Sequence, residues 1–113
     1  MFSKISYVII YTPSVRLLSE FFRDKLGLRI EYLDDSWSEI HLDNIVLAIH
    51  KDPNAEPKNT GIVFATTDIH RAVNELRAKK VSVSEVTDLG FGYEAFFKDP
   101  YGNQYSIYQP KVQ

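Results

Sequence analysis

The chain has 113 residues, 44% of them hydrophobic and 25% charged, with a formal net charge of −2 and no cysteine. That size suits one globular domain that folds without a staple, and the missing thiols exclude disulfides, thiolate nucleophiles and zinc-thiolate sites. The 13 Lys and Arg are scattered along the sequence instead of gathered on one element, which argues against a nucleic-acid partner.

Residues 4–12 (KISYVIIYT) predict a strand apolar on both faces. Its apolar run, Tyr7 to Tyr11, is too short for a membrane span or a signal peptide, so a soluble, cytoplasmic protein with no membrane partner is expected. Ser14 is a candidate helix cap, followed by Leu17, Leu18, Phe21, Phe22 and Leu26 at helical spacing, and Gly27 suits the stop. Strands are expected at about 28–34, 36–42 and 45–51, the last two joined by the two-residue turn Asp43-Asn44. The segment 52–59 (DPNAEPKN) reads as a linker.

The order then repeats. A strand is expected at 62–66, a helix capped by Thr67 or Asp68 with Ile69, Ala72, Val73 and Leu76 on one face, and a strand at 81–87. LGFGY at 89–93 turns the chain, and strands at about 93–98 and 103–109 flank the turn Asp99-Pro100-Tyr101-Gly102. Corresponding features, such as Ser14 with Asp68 and the first hairpin turn with the last, lie roughly 54 to 57 residues apart. One β-α-β-β-β program therefore runs twice, at about 4–51 and 60–109, within one domain. A half of this kind cannot close a core alone, and a cleft between paired sheets is the expected ligand site.

FFRDKLGL at 21–28 together with FFKDPYGNQYSIY at 96–108 resembles the glyoxalase, bleomycin-resistance and dioxygenase superfamily, the vicinal oxygen chelate proteins, over nearly the whole chain. The resemblance implies an α+β fold in which two βαβββ modules form a curved, mixed-sheet half-barrel with helices outside, often completed by dimerisation. Metal enzymes of the family carry ligands on the first and last strand of each module, which in this chain implies Tyr7, Ala48, Gly61 and Ser106. Alanine and glycine have no donor, a phenol ionises only at about pH 10 and a serine hydroxyl is a weak neutral ligand. The expectation is a member with no metal and no cofactor, of which bleomycin-binding resistance proteins are the best-known kind.

With Asp43-Asn44 as the turn, Trp37 faces His50, Glu39 faces Ala48 and His41 faces Val46. Ile40, Leu42, Ile45, Leu47 and Ile49 make the face that packs under a helix. The other face lines the cleft, because Ala48 stands at the family's ligand position. Candidate ligand-binding residues are thus Trp37, Glu39, His41, Ala48 and His50 from the hairpin, with Tyr7, Ile9 and Tyr11 from the first strand. In the second half the same parity selects Val63, Ser106 and Tyr108, with Tyr93 and Phe97 opposite the last two if the final turn has four residues. An aromatic wall with few polar groups suits a small aromatic or amphipathic ligand, bound by a homodimer that sequesters an antibiotic or toxic metabolite.

Glu39, His41 and His50 also fit the wet face of an antiparallel sheet, and Trp37 a packing or dimer contact. The rival function is a glyoxalase-type lyase or isomerase, using either a displaced metal or Glu39 as catalytic base, with its pKa raised by a partly apolar setting. His41 and His50 lie about 13 Å apart along the hairpin, too far to share an ion. A third possibility is a regulatory or partner-binding module with an unused cleft.

Overall fold

A computed structural model describes residues 1–111. The chain forms two compact units, residues 1–56 and from Pro57 onward. In the first unit the order is β1 (Tyr7–Thr12), α1 (Val15–Asp24), β2 (Tyr32–Leu33), β3 (Trp37–His41) and β4 (Val46–Lys51). In the second it is β5 (Asn59–Ala65), α2 (Ile69–Ala78), β6 (Thr87–Asp88), β7 (Gly92–Lys98) and β8 (Gln104–Pro110). The two sheets share one topology, β1-β4-β3-β2 and β5-β8-β7-β6, with the first strand of each parallel to the last. The fold is α+β, built from two βαβββ modules.

Local chemistry explains the element ends. The Ser14 hydroxyl accepts from the Leu17 amide and the Asp68 carboxylate from the Arg71 amide, so each helix begins on a side-chain cap. Asp68, not Thr67, is the cap of α2. Past α1, Gly27 takes φ +69° and the Leu28 amide returns to the Phe22 carbonyl at 3.0 Å. At the end of α2 a non-glycine, Lys80, takes the left-handed position at φ +63°, with Lys80 and Val81 amides bonded back to Arg77 and Leu76 carbonyls.

Helix α1 buries Val15, Leu18, Phe21 and Phe22 on the sheet face carrying Ile40, Leu47 and Ile49. Leu17, expected on the buried stripe, is 56% exposed, because the cap at Ser14 starts the helix with Val15 and Leu18 turned inward. The expected strands at 28–34 and 81–87 are much shorter. Only Tyr32–Leu33 pairs with β3, and only Thr87–Asp88 with β7, plus an isolated bridge between Val83 and Phe97. Both segments run along a sheet edge with one neighbouring strand, and apolar alternation does not reveal how far edge pairing extends.

The core of the second unit is aromatic. Phe97 and Tyr105 stack at 5.1 Å between ring centroids, and Phe64 lies 6.1 Å from Tyr105. The Tyr105 hydroxyl donates to Asp99 Oδ2 at 2.7 Å, and Asn103 Nδ2 donates to the same oxygen at 2.9 Å. Asp99 Oδ1 accepts from the Tyr101 and Asn103 amides at 2.8 and 3.1 Å. This 5% exposed carboxylate thus closes the β7–β8 turn with four bonds. Burial first, then the Asp99 charge, pushes the Tyr105 phenol well above its ordinary pKa, so it remains a donor. Tyr105→Phe removes one charge-assisted bond while keeping the ring, and urea unfolding should show a loss of about 1.5–3 kcal/mol. Asp99→Ala, which strands several donors, should cost more in the same assay.

Candidate functional site

The hairpin register in the first unit pairs Trp37 with His50, Glu39 with Ala48 and His41 with Val46. Parallel pairing sets Tyr7, Ile9 and Tyr11 beside Val46, Ala48 and His50. Tyr32 joins the same face opposite Glu39. This is the face turned away from α1, and it exposes 46% of Tyr7, 37% of Ile9, 41% of Tyr11 and 50% of Tyr32. All eight candidates named from the first half therefore share one open sheet face.

On it the rings form a chain. Tyr7 and Trp37 meet edge to face at 5.6 Å, Trp37 and His50 at 5.8 Å, and Tyr11 lies 5.5 Å from His50. Tyr7 stands on one flank of β4 and Trp37 on the other, so their rings meet over β4, where Ala48 lies midway between their partners Val46 and His50. Ala48 is fully buried although it belongs to the open face, and its single methyl leaves room for the ring pair.

A polar triad lies along the same strand. Trp37 Nε1 donates to Glu39 Oε2 at 2.7 Å, and His41 Nε2 is 2.9 Å from Glu39 Oε1. An ionised carboxylate only accepts, so His41 carries its proton on Nε2. The bond from His41, and next that from Trp37, hold the Glu39 carboxyl below its usual pKa, against the opposing effect of burial. This corrects the expectation of a raised pKa: a more acidic carboxylate with both oxygens bonded is a weaker base. Asp34 fixes the main chain beside the triad, its Oδ1 accepting from the Ser36 and Trp37 amides at 2.8 and 2.9 Å. Its other oxygen accepts from the Tyr32 hydroxyl, and these bonds, Tyr32's foremost, lower its pKa.

At the end of this face lies an open groove of about 480 Å³, lined by Lys4, Tyr7, Glu39, His41, Asn44 and Val46 among others. Lys4 and Tyr32 were missed by sequence reasoning. Tyr32 could have been found by extending the alternation through the β2–β3 turn, whereas the position of Lys4, ahead of β1, has no periodic signal.

In the second unit Val63 pairs with Ser106 and Ala65 with Tyr108 on the face opposite α2, where Val63 is 56% exposed. Ser106 lies opposite Phe96 and Tyr108 opposite Glu94. The expected partners Tyr93 and Phe97 instead pair with Gln109 and Tyr105, on the helix side. Phe97 is 2% exposed in the core, and the Tyr93 ring lies 6.3 Å from His70 of α2 with Lys111 Nζ 5.4 Å from its centroid. The physical reason is the turn. Asp99 and Asn103 form the last backbone bond at 3.0 Å and leave three residues between them, with Gly102 at φ +87°. One residue fewer than expected inverts the faces of β7. Glu94 and Phe96 thus take the places expected for Tyr93 and Phe97.

The positions at which the family resemblance implies metal ligands carry side chains that do not suit a divalent ion. Ala48 and Gly61 offer no donor atom, leaving the phenol of Tyr7 in one unit and the hydroxyl of Ser106 in the other. Among the described residues, no three His, Asp or Glu side chains gather as a ligand group elsewhere.

Two βαβββ modules of one topology make this a small α+β protein. Residues 4–107 match the sequence model of the glyoxalase/bleomycin resistance protein/dioxygenase superfamily, and the chain belongs to that family. None of the curated protein sequences compared with it matches significantly. Among solved structures it is similar to the antibiotic-binding protein TnmS3 from Streptomyces sp. CB03234 (TM-score 0.79, 17% identity, covering 98% of this chain and 100% of that one). It is also similar to the bleomycin-binding protein of bleomycin-producing Streptomyces verticillus, solved with copper(II)-bleomycin (TM-score 0.74, 19% identity, 98% and 100% covered). Lactoylglutathione lyase from Agrobacterium tumefaciens has a TM-score of 0.77 at 16% identity, with 96% and 95% covered. At these identities the likeness concerns the fold.

The lowered pKa of Glu39 has a consequence for stability. A carboxyl whose folded pKa lies below its unfolded value stabilises the fold above the unfolded pKa, and this stabilisation is lost as pH falls through the folded pKa. Urea unfolding at neutral and at acid pH should therefore show a smaller acid-induced loss in Glu39→Gln than in the parent protein. An equal loss in both would mean that the triad does not stabilise the folded carboxylate.

Proposed function

We propose that this protein is a metal-free binder of a small aromatic or amphipathic molecule, acting as a homodimer that sequesters an antibiotic or toxic metabolite. The observation that carries this reading is the open sheet face of the first unit. It presents Tyr7, Tyr11, Tyr32 and the linked rings of Trp37 and His50 to solvent, with Glu39 as its anchored charge. Aromatic faces with few, fixed polar groups favour flat organic ligands over phosphates. Two structural neighbours are described as antibiotic-binding and bleomycin-binding, which agrees with the reading at the level of ligand class. The donor-poor set at the family's metal positions favours binding over metal-dependent catalysis. Dimerisation is favoured by Phe2 and Ile5, 92% and 68% exposed, which line one open groove with Ile45, an apolar surface that a second copy would cover.

The protein has a single tryptophan, so titration of Trp37 fluorescence with bleomycin, ethidium and coumarin reports directly on this face. Saturable quenching by one of them, with a solution mass of two chains and no stoichiometric metal by elemental analysis, is the expected result. Stoichiometric metal in protein purified without chelator would overturn the metal-free reading. Trp37→Ala should weaken a quenching ligand by about 1–3 kcal/mol, the usual worth of an aromatic stacking partner, measured by calorimetry.

A further inference from the structure

We propose that Glu39 is the positioning residue of this face: its carboxylate bridges the Trp37 indole and the His41 ring and so presents the indole, already oriented, to a flat ligand. The proposal rests on reading the first unit's open face as the ligand surface and adds how its indole is held. A half-buried sheet position does not by itself fix a tryptophan, whose ring turns about two torsions. Trp37 is held at both ends. Its main-chain amide donates to Asp34 Oδ1 at 2.9 Å, and its ring N–H donates to Glu39 Oε2 at 2.7 Å. Tyr7 and His50 meet the indole at interplanar angles of 80° and 87°.

Glu39 is itself held. His41 takes its second oxygen at 2.9 Å, so the carboxylate cannot swing away without breaking a charge-assisted bond. The Glu39 side chain is 24% exposed and that of His41 51%, which places His41 as the outer, wetter partner and Glu39 as the inner link. Loss of the link would free the indole N–H to seek water and release the ring. A ligand would then have to order the ring as it binds, and ordering on binding weakens affinity. The arrangement gives Glu39 a role without proton transfer. It also narrows the ligand to one with a flat ring, and disfavours an anionic group beside the indole, where the Glu39 charge stands.

The test begins with the free protein. Near-UV circular dichroism and acrylamide quenching of Trp37 are compared in the parent, Glu39→Gln and Glu39→Ala. Glutamine keeps an oxygen that accepts from the indole, so its spectrum and quenching should remain close to the parent. Alanine should lose most of the indole band, and its quenching should rise severalfold, with far-UV dichroism unchanged. A role in stability alone would not separate glutamine from alanine in the indole signal. An alanine variant with the parent's indole band and quenching would overturn the proposal. If alanine does not fold, His41→Phe, which releases the second carboxylate oxygen, should shift the indole signal in the same direction, and no shift would overturn it.

Coumarin, flat and uncharged, then reads the ligand side. Its affinity should fall about tenfold in Glu39→Ala and be kept in Glu39→Gln. If Glu39→Ala binds coumarin as tightly as the parent, the preorganisation claim is wrong even where the free indole has loosened. If coumarin and the other probes fail to bind the parent, the ligand reading of the face fails, while the free-protein spectra still decide whether Glu39 positions the indole.

Discussion

The two-residue turn at Asp43-Asn44 decides which side chains of the first unit meet its helix and which meet solvent. The Leu42 amide bonds the Ile45 carbonyl across it, at 2.9 Å, and from there the pairing runs without interruption to Trp37 and His50. Because strand faces alternate with period two, one residue more or less in that turn would turn one of the two strands over relative to the other. Were β3 the strand turned over, Ile40 would lose α1 while Leu47 and Ile49 kept it, and Trp37, Glu39 and His41 would be driven under the helix. Burying the Glu39 charge and the His41 ring under an apolar helix would cost more than the gain from burying the indole. The turn is thus fixed by the core, and the open face inherits its order from that constraint.

The corresponding turn in the second unit shows where pattern reading stops. Alternation identified β7 and β8, and DPYG marked the turn between them, but a loop of three or four residues fits the same letters. What selects three is a polar network: Asp99 accepts two amides of the loop and ties Asn103 and Tyr105 to itself, while Gly102 takes the left-handed conformation the short loop needs. Asp-Pro and Tyr-Gly read equally well as ordinary turn chemistry, and nothing in their spacing shows that Tyr105 reaches back to Asp99. In the first unit the turn admitted one short length, so the eight candidate residues there fell on one face as expected. In the second, Val63, Ser106 and Tyr108 were legible from β5 and β8, while β7 contributes Glu94 and Phe96 in place of Tyr93 and Phe97.

Glu39 illustrates a second limit, one of electrostatics. Its position on a partly apolar strand face suggested a carboxyl with a raised pKa. Two neighbours at i−2 and i+2 on the same strand face reverse the sign, because both donate to the charged form. Same-face spacing was visible in WSEIH. Whether the side chains turned toward one another or toward solvent was not, since alternation fixes the face of a residue but not its rotamer.

The two units carry the same topology and different open faces, and packing explains how both can hold. Each helix requires apolar residues on one face of its sheet, and Leu47 with Ile49 in one unit, Tyr105 with Ile107 in the other, meet that need at equivalent strands. The opposite face has no such obligation. In the first unit it holds a ring pair over Ala48. In the second, Tyr108 lies across Gly92, where a β-carbon would come within 2.5 Å of its hydroxyl oxygen. Glycine at that strand position therefore has a steric reason, as alanine does at position 48: each is the small floor beneath an aromatic ring. Since neither ring contributes to the core under its helix, the chemistry of either face can change without altering the sheet that displays it. A family match accordingly fixes the scaffold and leaves open which side chains its outward sheet faces carry.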